Sequence, residues 1–279
     1  MPIKQYRPVT KGRRISSVQD FSDITRKEPE KSLIRIKKQF AGRTNGKITV
    51  RHKGAGNKRY LREVDFQRSR FDIPAKIATV EYDPNRGARI AMVIYKDGVK
   101  SYMLLPDGMK VGDVVVSSRK EAEITVGNRL PLSKIPVGSF IHAVELAPDK
   151  GAQLARGAGN YIEFMAIEGD LATLKLPSGE VRRVPKECMA TIGTVSNADW
   201  HLIRWGKAGR MRHRGIKPTV RGKAMNPVDH PHGGGEGKHP IGMKYAKTPW
   251  GKHALGVKTR RKHRGSDNMI LTRRRGNKL

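Results

Sequence analysis

The chain has 279 residues, with 57 Lys and Arg against 25 Asp and Glu, a net charge of +32 and a hydrophobic fraction of 37%. No apolar run approaches the roughly 18 residues of a membrane span, and the first residues lack the apolar stretch of a secretory signal. The single cysteine, Cys188, excludes an internal disulfide framework and fits a reducing compartment, so we expect it to be a small buried residue. These features favour the cytoplasm.

The positive charge is concentrated at the two ends of the chain. Residues 1–59 carry 17 Lys and Arg against four acids, residues 60–200 carry 19 against 18, and residues 201–279 carry 21 against three. The basic ends are also the parts with the weakest hydrophobic pattern. This distribution is typical of a folded body that anchors two extensions along a polyanion, and nucleic acid is the obvious candidate.

The N-terminal part contains turn signals and basic residues. Residues 1–30 indicate an extended arm, and residues 33–38 a short strand. Asn45-Gly46 predicts a tight turn. Residues 51–60 interleave glycine with basic residues, which suits close backbone approach to phosphates. A flexible solvated loop is the alternative, and we favour contact with RNA.

Short apolar segments with a period of two begin at residue 73 and are separated by turns. Regularly spaced short strands favour small all-β barrels over a parallel α/β sheet, and no sustained helical period occurs between residues 60 and 200. Residues 131–136 suggest a junction between two barrels. The predicted strands are 77–82, 88–95, 99–105 and 112–118, followed by 139–147, 160–167, 171–176, 180–184 and 190–195.

The sequence therefore predicts a mainly β fold of four parts. These are a basic N-terminal extension at 1–59, an oligonucleotide-binding-like barrel at 60–128, an SH3-like barrel at 129–200, and a basic Gly/Pro/His-rich extension at 201–279. The two barrel types are assigned by analogy, because strand spacing does not give strand order. The Gly/Ala-rich segment 149–161 is either a long hairpin loop or a loop that lies against an RNA groove.

Basic blocks follow the barrels, among them 258–264 and 273–275. Such blocks are found as solvated tails, targeting signals or phosphate contacts. Their number and their glycine spacing favour phosphate contact here.

The segment 225–238 contains two histidines close to two acids. His230 and His232 with Asp229 and Glu236 suggest a metal site, because imidazole and carboxylate are zinc ligands. The stiff Pro231 between the histidines, the remote cysteine and the local charge of +18 count against it. We therefore predict no protein metal site and no cofactor, while magnesium associated with a bound RNA stays an alternative.

His230 is also the one candidate for acid–base catalysis, because an unperturbed imidazole titrates near ~6.5. The neighbouring sequence indicates no nucleophile and no oxyanion hole. Phosphates would favour the charged imidazole, so we expect His230 and His232 to donate hydrogen bonds to RNA. Gly233, Gly234 and Gly235 would then let the backbone approach closely.

Residues 219–222 and 224–237 resemble the signature of large-subunit ribosomal protein two, the universal two-barrel family of the large ribosomal subunit. Met225 and Asn226 before Pro227 are similar to the bacterial or organellar type. The resemblance covers nearly the whole chain and continues in residues 12–14, 81–86, 135–138 and 151–156.

The resemblance implies two barrels, with extensions that penetrate rRNA. It implies direct binding to large-subunit rRNA early in assembly, contacts with other ribosomal proteins, and a place near the small-subunit interface. It places residues 226–237 near the peptidyl transferase region, where the histidine matching His230 has been proposed as important. We expect a structural ribosomal protein that is neither an enzyme nor a homo-oligomer, in the cytoplasm or in an organellar ribosome.

Two alternatives remain from the residues alone, a metal-dependent nuclease or transferase and a non-specific packaging protein. Trp200, Trp205 and Trp250 are candidates for stacking on unpaired bases, and closing the second barrel is an equal alternative for Trp200. The residues expected to contact RNA are Arg51, Lys53, Lys58, Arg59, Arg156, Arg210, Arg212, Arg214, Arg221, Lys223, His230, His232, Gly233, Gly234 and Gly235.

Overall fold

A computed structural model describes residues 3–37, 42–54, 56–237, 239–261 and 263–274. The chain divides into two compact units. The barrel unit comprises the described residues within 1–38, 58–207 and 265–279, and the basic unit comprises those within 39–57 and 208–264. Among the described residues, no helix is long and apolar enough to cross a membrane.

The described residues form strands and two short α-helices, with a few single turns of 3-10 helix. The helices are α1 (Lys11–Arg14) and α2 (Ala208–His213). The strands are β1 (Ile3–Gln5), β2 (Ser17–Gln19), β3 (Ile34–Ile36), β4 (Arg43–Thr44), β5 (Lys47–Ile48), β6 (Tyr60–Arg62), β7 (Ala75–Glu81), β8 (Ile90–Tyr95), β9 (Lys100–Leu104), β10 (Val114–Val115), β11 (Arg129–Pro131), β12 (Phe140–His142), β13 (Ile162–Glu168), β14 (Leu171–Lys175), β15 (Val181–Pro185), β16 (Met189–Ile192) and β17 (Ile270–Thr272).

The first barrel is built on an antiparallel sheet in the order β10-β7-β8-β9. Its inward side chains alternate along the strands, as the period of two predicts, and Ile77 and Val93 lie in its core. Val64, just after β6, forms a parallel bridge with Tyr102 and so extends the sheet beyond β9. The predicted strand 112–118 is reduced to the two residues of β10.

The second barrel is a seven-stranded antiparallel sheet in the order β11-β16-β12-β13-β14-β15-β17. Its core includes Ile141, Phe164 and Leu174. Cys188 is fully buried in this core, and burial raises its pKa to about 12, as expected of a small structural residue. The mainly β fold with two tandem small barrels is therefore confirmed.

The prediction of a junction at residues 131–136 is wrong. Pro131 ends β11, which pairs with β16, while Leu132 and Ile135 are buried in the second core. The chain instead passes between the barrels in the segment that precedes β11. The boundaries at residues 60, 129 and 201 stay a prediction.

Both termini contribute to the barrel unit more than the sequence indicated. β1 pairs with β2, and Arg89 holds the end of β2 and the residues after it through hydrogen bonds to Gln19 Oε1 (2.8 Å) and Asp23 Oδ2 (2.7 Å). At the other end, β17 covers the edge of β15. Residues 3–30 are thus not simply an extended arm, because a buried guanidinium binds them to the first barrel.

Hydrogen bonds between distant, glycine-rich segments organise the basic unit. β4 and β5 form a hairpin whose turn residues Asn45 and Gly46 have φ of 50° and 73°, as the Asn-Gly pair predicts. Residues 52–54 and 56–57 lie beside residues 213–218, and Lys53 forms an antiparallel bridge with Ile216. α2 leads into this pairing.

Candidate nucleic-acid interface

The structure gathers most of the predicted RNA-contact residues into the basic unit. Lys58, Arg59 and Arg156 lie in the barrel unit. The predicted residues in the basic unit are Arg51, Lys53, Arg210, Arg212, Arg214, Arg221, Lys223, His230, His232, Gly233, Gly234 and Gly235. Two basic stretches that are about 160 positions apart in the sequence thus belong to one unit.

Main-chain and histidine hydrogen bonds hold these two stretches together. The Asn57 N–H donates to the carbonyl of His213 at 2.9 Å, and the Lys217 N–H to that of His52 at 3.0 Å. The imidazole Nδ1 of His52 donates to the carbonyl of Pro218 at 3.1 Å, and that of His213 to Asn57 Oδ1 at 3.1 Å. Because the pairing uses backbone groups, the long basic side chains stay at the surface, where Arg51, Lys53 and Arg212 are exposed.

His230 is the only buried residue among the described residues of the basic unit, with 7% of its surface exposed. Its ring lies on Gly222, where a Cβ would be 2.5 Å from Nδ1. The backbone N–H of His232 donates to His230 Nδ1 at 3.0 Å. Nδ1 therefore carries no proton, and the ring hydrogen sits on Nε2.

His232 is held in the same way. The backbone N–H of Lys247 donates to His232 Nε2 at 2.8 Å, and the rings of His230 and His232 lie 4.7 Å apart. Desolvation, followed by the nearby His230 and Lys247, lowers the pKa of His232. In this arrangement each ring accepts a backbone N–H and keeps one N–H to donate, and donation to RNA by His230 and His232 stays a prediction.

The glycines of the segment have a function inside the protein. A Cβ at Gly233 would lie 2.2 Å from the carbonyl oxygen of Asn226, so only glycine fits there. The N–H of Gly233 donates to the carbonyl of His230 at 2.8 Å, and that of Gly234 to Met225 at 3.1 Å. Residues 222–234 are therefore a compact loop, which we call the histidine loop. Close approach of Gly233–Gly235 to RNA stays a prediction.

The contacts of the histidine loop bear on the metal-binding and catalytic alternatives. Within the part of the chain that the structure describes, no group of three or more His, Cys, Asp or Glu is placed to hold a metal ion. His230 Nδ1 is occupied by a main-chain donor, so it is not available to accept a proton from a substrate. Asp229 is exposed, and no hydrogen bond joins its carboxylate to either imidazole among the described contacts.

The predicted residues of the barrel unit lie apart from the histidine loop in sequence and differ in their contacts. Arg156 is exposed, with its guanidinium 4.6 Å from the centre of the Phe66 ring. Arg59 donates to the carbonyl of Pro84 at 3.3 Å, and Lys58 is exposed. The loop carrying Arg156 is fixed to both barrels, because Ala152 donates its N–H to Phe66 and Gly151 donates its own to Glu145.

The three tryptophans have different surroundings. Trp200 and Trp205 are in edge-to-face contact at 5.9 Å, and Trp200 packs on Gly87 of the first barrel. Trp250 is 74% exposed.

The sequence did not predict that His52 and His213 join the two basic stretches. Main-chain pairing between polar, glycine-rich segments leaves no hydrophobic pattern to detect.

The basic unit contains 19 Lys and Arg against two acids, Asp229 and Glu236. Two small β-barrels combined with such a unit are characteristic of proteins that bind a polyanion along an extended surface. The fold and charge therefore define the class of nucleic-acid-binding proteins.

Comparison with protein families identifies the group within that class. Residues 30–117 match the family described as Ribosomal Proteins L2, RNA binding N-terminal domain, and residues 125–251 match Ribosomal Proteins L2, C-terminal domain. The chain belongs to the ribosomal protein L2 family of the large subunit. Its role is structural, as an rRNA-binding component of the ribosome. The two matches cover the strands of both barrels except β17, and each includes residues of the basic unit.

Proposed function

We propose that the basic unit is the principal rRNA-binding surface of this chain, and that the predicted Lys and Arg residues contact phosphates there. The observation that carries this proposal is the combination in the unit of 19 basic residues, two acids and, among its described residues, a single buried one. A unit with so little apolar burial gains much of its order from a polyanion. Lys58, Arg59 and Arg156 of the barrel unit contact phosphates as well.

The same proposal includes the role of the chain in assembly and in the working large subunit. The chain supports assembly of the large subunit, its association with the small subunit and the peptidyl transferase region. It acts as a single copy among other ribosomal proteins, without a membrane, in a cytoplasmic or organellar ribosome. It has no protein metal site, and any magnesium at its surface is shared with rRNA.

We propose that His230 acts through the histidine loop and has no part in bond chemistry. Its burial, its main-chain hydrogen bond and its packing on Gly222 support this role. Replacement His230→Gln is expected to leave rRNA binding by the isolated protein largely intact while perturbing assembly or activity of the particle. Equal rates of peptide-bond formation in parent and variant particles of matched composition would remove any catalytic role.

Backbone-cleavage footprinting of full-length large-subunit rRNA at moderate and high salt tests the binding proposal. The parent chain should give a compact footprint that survives high salt. The double variant Lys53→Gln with Arg212→Gln should weaken it, whereas Lys96→Gln with Lys110→Gln, two exposed positions of the barrel unit, should not. Diffuse protection that disappears with salt would indicate a packaging protein instead.

A further inference from the structure

Residues 246–254 form a short hairpin, which we call the tryptophan hairpin. The N–H of Ala254 donates to the carbonyl of Ala246 at 2.8 Å, and that of Thr248 to Lys252 at 2.7 Å. The Gly251 N–H closes the turn on the carbonyl of Thr248 at 2.9 Å. The sequence Thr-Pro-Trp-Gly suits this three-residue loop, because proline favours the first corner and Gly251 has φ of +76°.

The turn places Trp250 at the tip of the hairpin. Its side chain is 74% exposed, more than any other exposed aromatic side chain described. Trp200 and Trp205, in contrast, pack against each other in the barrel unit. An indole has a large apolar face whose exposure to water is unfavourable, and it is well suited to bind another planar group.

The hairpin is fixed at its base. The rings of Tyr245 and His253 lie 4.0 Å apart, and Lys247 donates its N–H to the Nε2 atom of His232. Through His232, the hairpin is connected to the buried ring of His230. A fixed base and an exposed tip give the indole a defined position before any partner arrives, which reduces the entropy lost on binding.

The charge around the hairpin selects the kind of partner. From residue 237 to residue 266 the sequence has no Asp or Glu, and Lys244, Lys247 and Lys252 stand close to Trp250 in the chain. A planar apolar group flanked by negative charge satisfies both features, and an unpaired nucleobase between phosphates has that chemistry.

We propose that Trp250 stacks on an unpaired nucleobase of large-subunit rRNA, with Lys252 contacting a flanking phosphate. The proposal rests on rRNA binding by the basic unit and adds the subsite that recognises a single base. The histidine loop then holds this subsite in position, since His232 accepts a hydrogen bond from the backbone N–H of Lys247.

Equilibrium binding of the full-length chain to full-length large-subunit rRNA, measured over a range of salt concentrations, tests the stacking. Replacement Trp250→Ala should lower the association constant by roughly 5- to 100-fold, the range expected for the loss of one stacked base. The slope of log K against log salt should stay unchanged, because no charge is removed. Replacement Trp250→Phe should retain most of the affinity.

Replacement Lys252→Gln is the matched control. It should reduce the magnitude of the salt slope by roughly 0.7, the value for one phosphate contact to a single strand. The fluorescence difference between the parent and Trp250→Phe reports the indole of Trp250 alone, and it should be quenched when rRNA is added. Hydrogen-exchange protection of the Lys247 amide verifies that the hairpin base is intact in each variant.

Three results would overturn the inference. The first is equal affinity of parent and Trp250→Ala together with an unquenched fluorescence difference. The second is normal binding of Trp250→Ala to bare rRNA with a defect only in the particle, since Trp250 would then contact a protein. The third is absence of specific binding by the parent itself, which would remove the proposed rRNA surface along with the stacking subsite.

Discussion

In the barrel unit the buried side chains are mostly apolar and lie in sheet cores, whereas the one buried side chain described in the basic unit is the imidazole of His230. The barrel unit has a hydrophobic source of stability that does not depend on a partner. The basic unit is held by main-chain hydrogen bonds and carries 19 Lys and Arg against two acids. One chain therefore combines a barrel unit that is stable on its own with a basic unit whose full order depends on a polyanion.

Because the two units are stabilised in different ways, stability and rRNA binding can be altered separately. Changes inside the barrels should lower the free energy of unfolding of the barrel unit. Changes in the basic unit should mainly affect local order and the response of rRNA binding to salt. The first two predictions below act on the barrel unit, and the last two act on the basic unit.

Loss of the carboxylate of Glu145 should produce the largest effect. Glu145 and Arg129 are each 1% exposed and pair at 2.7 Å, and the carboxylate also accepts the N–H groups of Gly151 and Met189 at 3.1 Å. Replacement Glu145→Ala leaves an uncompensated buried charge. It should lower the free energy of unfolding by about 3–5 kcal/mol in urea denaturation.

The matched control is Glu168→Ala, because the carboxylate of Glu168 is 59% exposed and pairs with Arg183 at 2.8 Å. An exposed pair contributes at most about 1 kcal/mol. If the two variants unfolded at the same urea concentration, the buried pair would not be a source of stability for the barrel unit.

Acid should destabilise the barrel unit through His142. Burial lowers the pKa of His142 to about 4, and its Nδ1–H donates to the carbonyl of Gly193 at 2.8 Å. In the unfolded chain the imidazole titrates near ~6.5, so the unfolded state takes up a proton first as the pH falls. The stabilising contribution is complete above about pH 6.5 and is lost progressively towards pH 4, with about 2 kcal/mol gone by pH 5.

Urea denaturation at pH 7.5 and at pH 5.0 measures this loss. Replacement His142→Asn keeps a side-chain N–H donor and removes the titrating group, so its free energy of unfolding should depend less on pH by about the same 2 kcal/mol. An identical pH dependence in parent and variant would assign the acid sensitivity to other groups.

The sequence predicted the barrel unit better than the basic unit, for a physical reason. Buried strands such as β8 carry a short apolar run bounded by turns, and Asn45-Gly46 has the backbone preference of its turn. The pairing of residues 52–54 and 56–57 with 213–218 uses main-chain groups, which are common to nearly all residue types. Burial of His230 depends on the close approach of Gly222, and nothing in the local sequence specifies which ring will lie there.

Contact of the predicted site residues with RNA stays a prediction. Composition placed the basic residues at the two ends, but it did not show that both ends form one unit. The role of Arg89 in binding residues 19–23 was also absent from the pattern, because an arginine in a turn before a strand is usually exposed.

Crowding of the histidine loop should have an intermediate and local effect. Replacement Gly233→Ala would bring a Cβ to 2.2 Å from the carbonyl oxygen of Asn226, so the backbone must shift. Overpacking of this kind costs about 1–3 kcal/mol. Hydrogen exchange in the free protein should show faster exchange of the Gly233 and Gly234 amides, while the barrel amides are unaffected.

Replacement Gly209→Ala in α2 is the control, because a Cβ there meets nothing within 4 Å. It should leave the protection of the histidine loop unchanged. If Gly233→Ala kept full protection in the free protein and weakened only rRNA binding, this glycine would serve close approach to RNA and not the internal packing of the loop.

The smallest effect, and the one that separates the two units most directly, concerns the salt dependence of rRNA binding. Arg212 is exposed in the basic unit, whereas Arg183 pairs with Glu168 on the second barrel. Replacement Arg212→Gln should reduce the magnitude of the slope of log K against log salt by roughly 0.7–0.9, because one phosphate contact is lost. Replacement Arg183→Gln should leave the slope unchanged, since its charge is already balanced by a carboxylate. Equal slopes for both variants would mean that phosphate contact is not concentrated in the basic unit. The two units would then still differ in what stabilises them, but they would not differ in how they bind rRNA.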